Sequence, residues 1–256
     1  MAVRRAPASC LIAAVILAGA LSVPAAASET WRAPVLMYHR VDAHLSAHDP
    51  VTTGLTVMAP AFEAQLRLLR DDGYQAMTLN DLWAVLAQHT AVPGRRVVLT
   101  FDDGYEDNYT VVFPLLRRYG FTASFFIVTS TVGTKDHLSA AQIHEMARAG
   151  MEIESHGQHH LDFTRFSIPT ARAELRRSRE IIAGWTGHPV SFFAYPAGRY
   201  STSLERLLGE LGYRGALTEV PGFVTLQSNP YALERIRVAH DDTLRTFAQK
   251  LRLPVP

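Results

Sequence analysis

Val97-Val98-Leu99-Thr100-Phe101-Asp102-Asp103-Gly104 is an apolar run that stops at two adjacent carboxylates and a glycine. A short apolar run bounded by a turn signal reads as a buried strand, and parallel α/β folds carry their reactive groups at the C-terminal ends of such strands. Neighbouring side chains on a strand point to opposite faces. One Asp can therefore hold a metal while the other, leaving the strand, works as a base. Alone, Asp-Asp-Gly is more commonly a plain acidic turn. A second stretch changes that reading: Glu152-Ile153-Glu154-Ser155-His156-Gly157-Gln158-His159-His160 again runs from strand to loop and ends among histidines. One Asp and two His make an open three-ligand set suited to zinc or another divalent metal, with a position left for water.

Together these stretches resemble the polysaccharide deacetylases with a NodB-homology domain, carbohydrate esterase family 4, and within it the bacterial poly-N-acetylglucosamine deacetylases. Thr100-Phe101-Asp102-Asp103-Gly104 matches the family's first motif, which implies Asp102 as general base and Asp103 as metal ligand. His156 and His160 match the His-x-x-x-His motif, and Leu161-Asp162-Phe163 fits the tail that follows it. Phe193-Ala194-Tyr195-Pro196-Ala197-Gly198-Arg199-Tyr200 resembles the third motif, whose loop lines the substrate groove and offers a backbone N–H to the oxyanion. Val35-Leu36-Met37-Tyr38-His39-Arg40-Val41 is similar to the opening strand. The similarity runs from about Pro34 to Arg237 and implies an irregular (β/α)7 barrel.

The chain departs from the pattern in places. Val190-Ser191-Phe192 stands where the third motif often begins with Arg, so the base's usual salt-bridge partner is either missing or supplied from elsewhere. Ala197 replaces the usual aromatic after Pro196, and no Asp-x-x-Asp-Trp motif is found. Arg235-Ile236-Arg237-Val238-Ala239-His240 is at most a remnant of the closing Leu-x-His motif.

Outward from the acidic run, helical and strand patterns alternate. Helices are expected over Ala61 to Asp72, Leu79 to Gln88, Val111 to Tyr119, Ser139 to Arg148, Thr170 to Trp185 and Ser203 to Leu211, several stopped by Gly. Strands are expected over Ala123 to Val128, Met151 to Glu154 and Val190 to Tyr195. Such βα alternation favours a parallel barrel. Ala43 to Gly54 reads as a flexible loop, and Asp241-Asp242 as a cap for the final helix. The cluster Arg172, Arg176, Arg177 and Arg179 reads as a solvated helix face.

At 256 residues the chain suits one large domain. A net charge of +1 argues against a general polyanion-binding surface, and no phosphate loop, serine elbow or nucleic-acid motif occurs. Met1-Ala2-Val3-Arg4-Arg5, the apolar stretch Leu11 to Val23 and Ala25-Ala26-Ala27 read as a signal peptide over 1–27, cleaved near Ala27, leaving a catalytic domain over 28–256. The apolar stretch is short for a membrane span. Periplasmic or secreted location is expected, and Cys10, the single cysteine, falls in the leader.

The implied chemistry is metal-assisted hydrolysis of N-acetyl groups on an N-acetylglucosamine polysaccharide, with an exopolysaccharide biosynthesis machinery as a partner. Asp103, His156 and His160 would hold one divalent ion, zinc first, with Co2+, Ni2+ or Fe2+ as alternatives. Asp102 would take the proton of the attacking water. A general acid must protonate the leaving amine. His39 and His240 are the two candidates, His39 being favoured because it ends the opening strand. Tyr195, Pro196, Ala197 and Tyr200 are expected to contact the sugar, with Tyr105 nearby. His159 is expected to point away, and the Phe125-Phe126 and Phe192-Phe193 pairs to lie in the core. An O-acetyl esterase and a weakly active sugar-binding relative are the competing readings.

Overall fold

A computed structural model describes residues 31–42 and 50–254. The expected signal peptide, Cys10 and residues 43–49 lie outside the described residues. Seven parallel strands form a closed ring: β1 (Val35–Tyr38), β2 (Arg95–Phe101), β3 (Ser124–Ile127), β4 (Glu152–Ser155), β5 (Phe192–Ala194), β6 (Gly215–Pro221) and β7 (Leu233–Arg237). Pairing proceeds in chain order from β2 to β7, and β1 closes the ring by pairing both β7 and β2. The Tyr38↔Phe101 register brings the residues just after β1 and β2, His39 and Asp102, to the same rim. A short strand, Tyr74–Ala76, adds to β2 outside the ring. The expected (β/α)7 barrel is the fold observed.

Strand alternation divides the core in two. Val35, Val98, Phe126, Phe192, Ala194, Leu217 and Leu233 form one cluster within the barrel. Leu36, Tyr38, Leu99, Phe101, Phe125, Ile127 and Phe193 belong to the other, between strands and helices. Both Phe pairs are therefore split between layers, and all four rings are core. Around the outside lie α1 (Ala59–Asp71), α3 (Phe113–Tyr119), α4 (Ala140–Arg148), α5 (Ile168–Thr186), α6 (Thr202–Glu210) and α7 (Leu244–Lys250). The helix α2 (Leu79–Gln88) differs, because its Leu79, Leu82, Val85 and Leu86 join the interior cluster and close the N-terminal end of the barrel. Glu152, at the start of β4, accepts the N–H groups of Leu79 and Asn80 at 2.7 and 3.2 Å and holds α2 there.

The ring is irregular where β4 meets β5, which pair only at Ser155↔Phe193. Below that point the Glu154 side chain takes over, its Oε2 accepting the N–H groups of Ser191 and Phe192 at 2.8 Å each. Three local expectations need correction. Residues 50–55 form a helical turn, Pro50–Leu55, where a loop was expected. The cap of α7 is Thr243, which accepts from Thr246 N–H, while Asp242 instead accepts from Ala239 N–H and pairs with Lys250. Arg179 is no purely solvated residue, since it donates to the carbonyl of Leu211 and lies over the Tyr213 ring at 5.0 Å.

Candidate active site

The strand β2 ends in a sharp turn, with Asp103 at φ 74° and Gly104 at φ 76°. An aspartate in the left-handed region stores strain of about 1–3 kcal/mol, a cost usually met at functional sites. Gly104 also has to be small, because a Cβ there would sit 3.1 Å from the Ile127 side chain. The consequence is that Asp102 and Asp103, adjacent in sequence, face different surroundings.

Asp103 turns toward the loop after β4. Its Oδ1 is 3.5 Å from Nε2 of His156 and 3.5 Å from Nε2 of His160, and the three ligand atoms all lie within 4.8 Å of one another. His156 is 2% exposed, and its Nδ1 lies 2.8 Å from the Ala194 carbonyl. Donation of Nδ1–H to that carbonyl leaves the Nε2 lone pair free, the tautomer a metal ligand requires. Burial and the neighbouring His156 lower the pKa of His160, which favours its neutral form as well. The donor set is thus one carboxylate oxygen and two imidazole nitrogens, and its spacing fits a small divalent ion.

Asp102 is buried on the other side of the turn and meets Arg235 of β7 in a matched fork, with Nη1–Oδ1 and Nη2–Oδ2 both 2.8 Å. The same guanidinium donates from Nε to the Thr218 carbonyl at 2.7 Å and from Nη1 to Thr100 Oγ1 at 3.3 Å. Burial alone would raise the Asp102 carboxyl, but the Arg235 charge, with His156 and His39 nearby, outweighs it and holds the pKa well below the usual carboxylate range. Arg235 is therefore the partner that Val190-Ser191-Phe192 does not supply. Sequence reasoning passed over this residue's role, and its only signal is an Arg two places after Leu233 on the inward face of a strand that also ends in Arg237.

The remaining expected residues are scattered. His39 is buried within electrostatic reach of both aspartates; burial lowers its pKa and the two carboxylates oppose that shift. His240 instead lies exposed on the turn after β7, its Nδ1 3.9 Å from Asp241 Oδ1. His159 points away, as expected, with Nδ1 3.0 Å from Glu174. Tyr195 is not available to a sugar, in contrast to the expectation: it is 1% exposed, its hydroxyl donates to the Tyr231 carbonyl, and its ring packs edge-on against Phe193. Pro196 is buried too. Parity explains the first, since Tyr195 follows Phe193 on the helix-facing side of β5.

Ala197 and Tyr200 do reach the surface, Tyr200 with 39% exposed and its ring 5.5 Å from that of Tyr195. Ala197 is held at φ 52°, and Gly198 follows at φ 64° where a Cβ would strike Glu219 at 2.7 Å. The N–H groups of Gly198 and Arg199 return to Tyr195 and Pro196. Arg199 also ties this loop to the histidine loop through Asp162 at 2.9 Å.

This architecture has clear relatives. The polysaccharide deacetylase family matches residues 89–216. The Bacillus subtilis (strain 168) protein YxkH, whose name places it among polysaccharide deacetylases, is 33% identical over 206 residues, covering 80% of this chain and 71% of its own. The poly-β-1,6-N-acetyl-D-glucosamine N-deacetylase of Staphylococcus aureus (strain MRSA252) is 25% identical over 200 residues, covering 73% of this chain and 69% of its own. Among solved structures, the Streptococcus pyogenes deacetylase PplD in complex with acetate superposes with a TM-score of 0.80 at 25% identity, over 88% of this chain and 99% of PplD. With the barrel, the family match and a relative that spans most of its length, the chain belongs to the polysaccharide deacetylase family, a family of hydrolases.

Proposed function

We propose that the protein is a metal-dependent N-deacetylase that releases acetate from an N-acetylglucosamine-containing polysaccharide outside the cytoplasm. The observation that carries this reading is the convergence of Asp103, His156 and His160 beside an ionised, arginine-clamped Asp102. When bound by those three residues, a divalent ion, zinc by preference, would polarise the acetyl carbonyl and lower the pKa of a water in the site. Asp102 then accepts the proton of the attacking water; Arg235 keeps its carboxylate charged and fixed in direction. The Ala197 N–H, free of any acceptor among the described residues, supports a role as donor to the oxyanion. His39, buried beside both aspartates, delivers the proton to the leaving amine, which an amide cannot expel unprotonated. The rim of Ala197 and Tyr200 receives the sugar, and the product polymer gains an amine at each site of reaction. The Staphylococcus aureus relative is named for this chemistry on poly-β-1,6-N-acetyl-D-glucosamine, which supports that polymer class.

Acetate release decides the reading. N-acetylglucosamine oligomers should yield acetate, chelation should stop it, and zinc or cobalt should restore it. Release from O-acetylated xylan alone would make the protein an esterase, and release from neither substrate would leave a sugar-binding relative. For location, we propose removal of residues 1–27; among the described residues no helix is long and apolar enough to cross a membrane. Protein from fractionated cells should begin near Ser28, and an intact Met1 to Ala27 segment would contradict export by cleavage.

A further inference from the structure

The strand end that carries His39 and the turn that carries Asp103 are joined by buried polar groups that the chemical step itself does not use. Asp107 precedes the π-helical turn Asn108–Val112, a rare conformation that recurs at functional sites. Its Oδ2 accepts Nε–H of Arg40 at 2.8 Å, and its Oδ1 accepts the N–H of Val41 at 3.1 Å. Asn108, fully buried, donates from Nδ2 to Asp107 at 3.0 Å and to the carbonyl of His39 at 2.9 Å. On the other side the Arg40 guanidinium covers the Tyr105 ring at 4.8 Å, and burial together with the neighbouring Asp103 raises the pKa of the Tyr105 hydroxyl. A run of contacts thus leads from the His39 backbone through Asn108, Asp107 and Arg40 to Tyr105, which neighbours the Asp103 carboxylate.

Two features of this run cost stability. Asp107 is buried, which raises its carboxyl pKa in spite of Arg40, and Asn108 Oδ1 is buried with no partner among the described residues. Buried polar groups left in this state call for an explanation outside packing. Both residues lie where β1 and β2 have just parted company, and among the described residues the backbone bond between these two strand ends is Asp102 N–H to the Tyr38 carbonyl at 3.0 Å.

We propose that Arg40, Asp107 and Asn108 form a brace that sets the distance between His39 and Asp103, making them positioning residues for deacetylation. The proposal rests on the reading of His39 as proton donor. A donor displaced by even an ångström loses much of its effect, and the loss falls on amides, whose leaving group needs the proton, more than on activated esters.

The test compares turnover of N-acetylglucosamine oligomers and of an aryl acetate by the zinc-loaded full-length protein, with zinc affinity from chelator competition as a separate readout. Asp107→Asn keeps an acceptor for Val41 and removes the nearer of the two carboxylate charges on Arg40, leaving Asp42 at 3.7 Å. We expect amide kcat to fall by about tenfold or more with KM nearly unchanged, ester turnover to fall by less than about threefold, and zinc to bind more weakly. Arg40→Lys should recover part of the loss seen in Arg40→Ala. Where Asp107→Asn does not fold, Asn108→Ala carries the same test, since it removes the amide that touches the His39 carbonyl. Equal losses on both substrates, or wild-type amide turnover with only a lowered Tm, would overturn the brace. His39→Ala separates the two levels: full amide activity in that variant defeats the proton-donor reading and the brace with it, whereas a dead His39→Ala beside a normal Asp107→Asn defeats the brace alone.

Discussion

Both ends of the barrel bury carboxylates on the same inward face, and they use them in opposite ways. At the closed end Glu152 and Glu154 are engaged by backbone N–H groups, from α2 and from the start of β5. At the open end Asp102 meets a guanidinium and Asp103 meets two imidazoles. Glu154 and Asp102 are hidden to nearly the same degree, at 2% and 1% exposure, yet their pKa values move apart. Burial raises Glu154 well above the ordinary range, and two N–H groups do not offset it. Burial pushes Asp102 the same way, but the full charge of Arg235 reverses the outcome. A neighbouring ion can outweigh desolvation where two backbone dipoles cannot. The barrel therefore ties its strands with a carboxyl that prefers to be neutral and keeps an ionised one at the rim that carries the candidate site.

The largest effect should come from Asp102→Asn, which preserves shape, keeps one of the two acceptors for Arg235 and removes the proton acceptor. Amide turnover should drop by about two to four orders of magnitude with the metal retained. Near-normal turnover would reduce Asp102 to a structural twin of Glu154. Next, Arg235→Met strands the Asp102 carboxylate in the interior, which typically costs about 3–5 kcal/mol when one partner of a buried pair is removed. Urea unfolding should show that loss in the single variant and recover most of it in Arg235→Met/Asp102→Leu. A single variant as stable as wild type would mean that water reaches Asp102 and that the two ends differ less than their geometry implies.

The smallest effect is a change of slope with pH. The folded pKa of Asp102 is depressed, so its stabilisation is full above the ordinary carboxyl range near about pH 4 and is lost as pH falls through the folded value. The folded pKa of Glu154 is raised. Its contribution is full below the ordinary range and is lost as pH climbs toward the folded value, because the unfolded chain ionises first. Glu154→Gln, which imitates the neutral acid, should gain on wild type steadily as pH rises from about 5. A constant difference across that range would show that Glu154 is already ionised in the fold.

The helices were legible in the sequence because their signals are local. Leu79–Gln88 begins and ends where its pattern says, helped by the Thr78 and Asp81 capping box, and Ser139 caps α4 as its spacing implies. The strands Tyr74–Ala76 and Gly215–Pro221 were not anticipated, one being three residues long and the other opening on Gly-Ala and ending on Pro, with little β-branched pattern to mark it. Asp103, His156 and His160 could be picked out because each sits within a short, chemically unusual string. Arg235 could not, since Arg on a strand is ordinary, Arg237 stands on the same strand, and its target is 133 residues away.

What the sequence by itself determined is therefore the βα alternation, the two acidic and histidine-bearing strand ends, and the residue types that make a metal set and a base. Closure of the ring decided the rest. It chose which parity of each strand faces inward, and so buried Tyr195 in the core between strands and helices. By pairing β7 with β1 it also delivered Arg235 to Asp102. Side-chain alternation is a local property with two equivalent phases, and only the tertiary packing of the whole barrel breaks that tie.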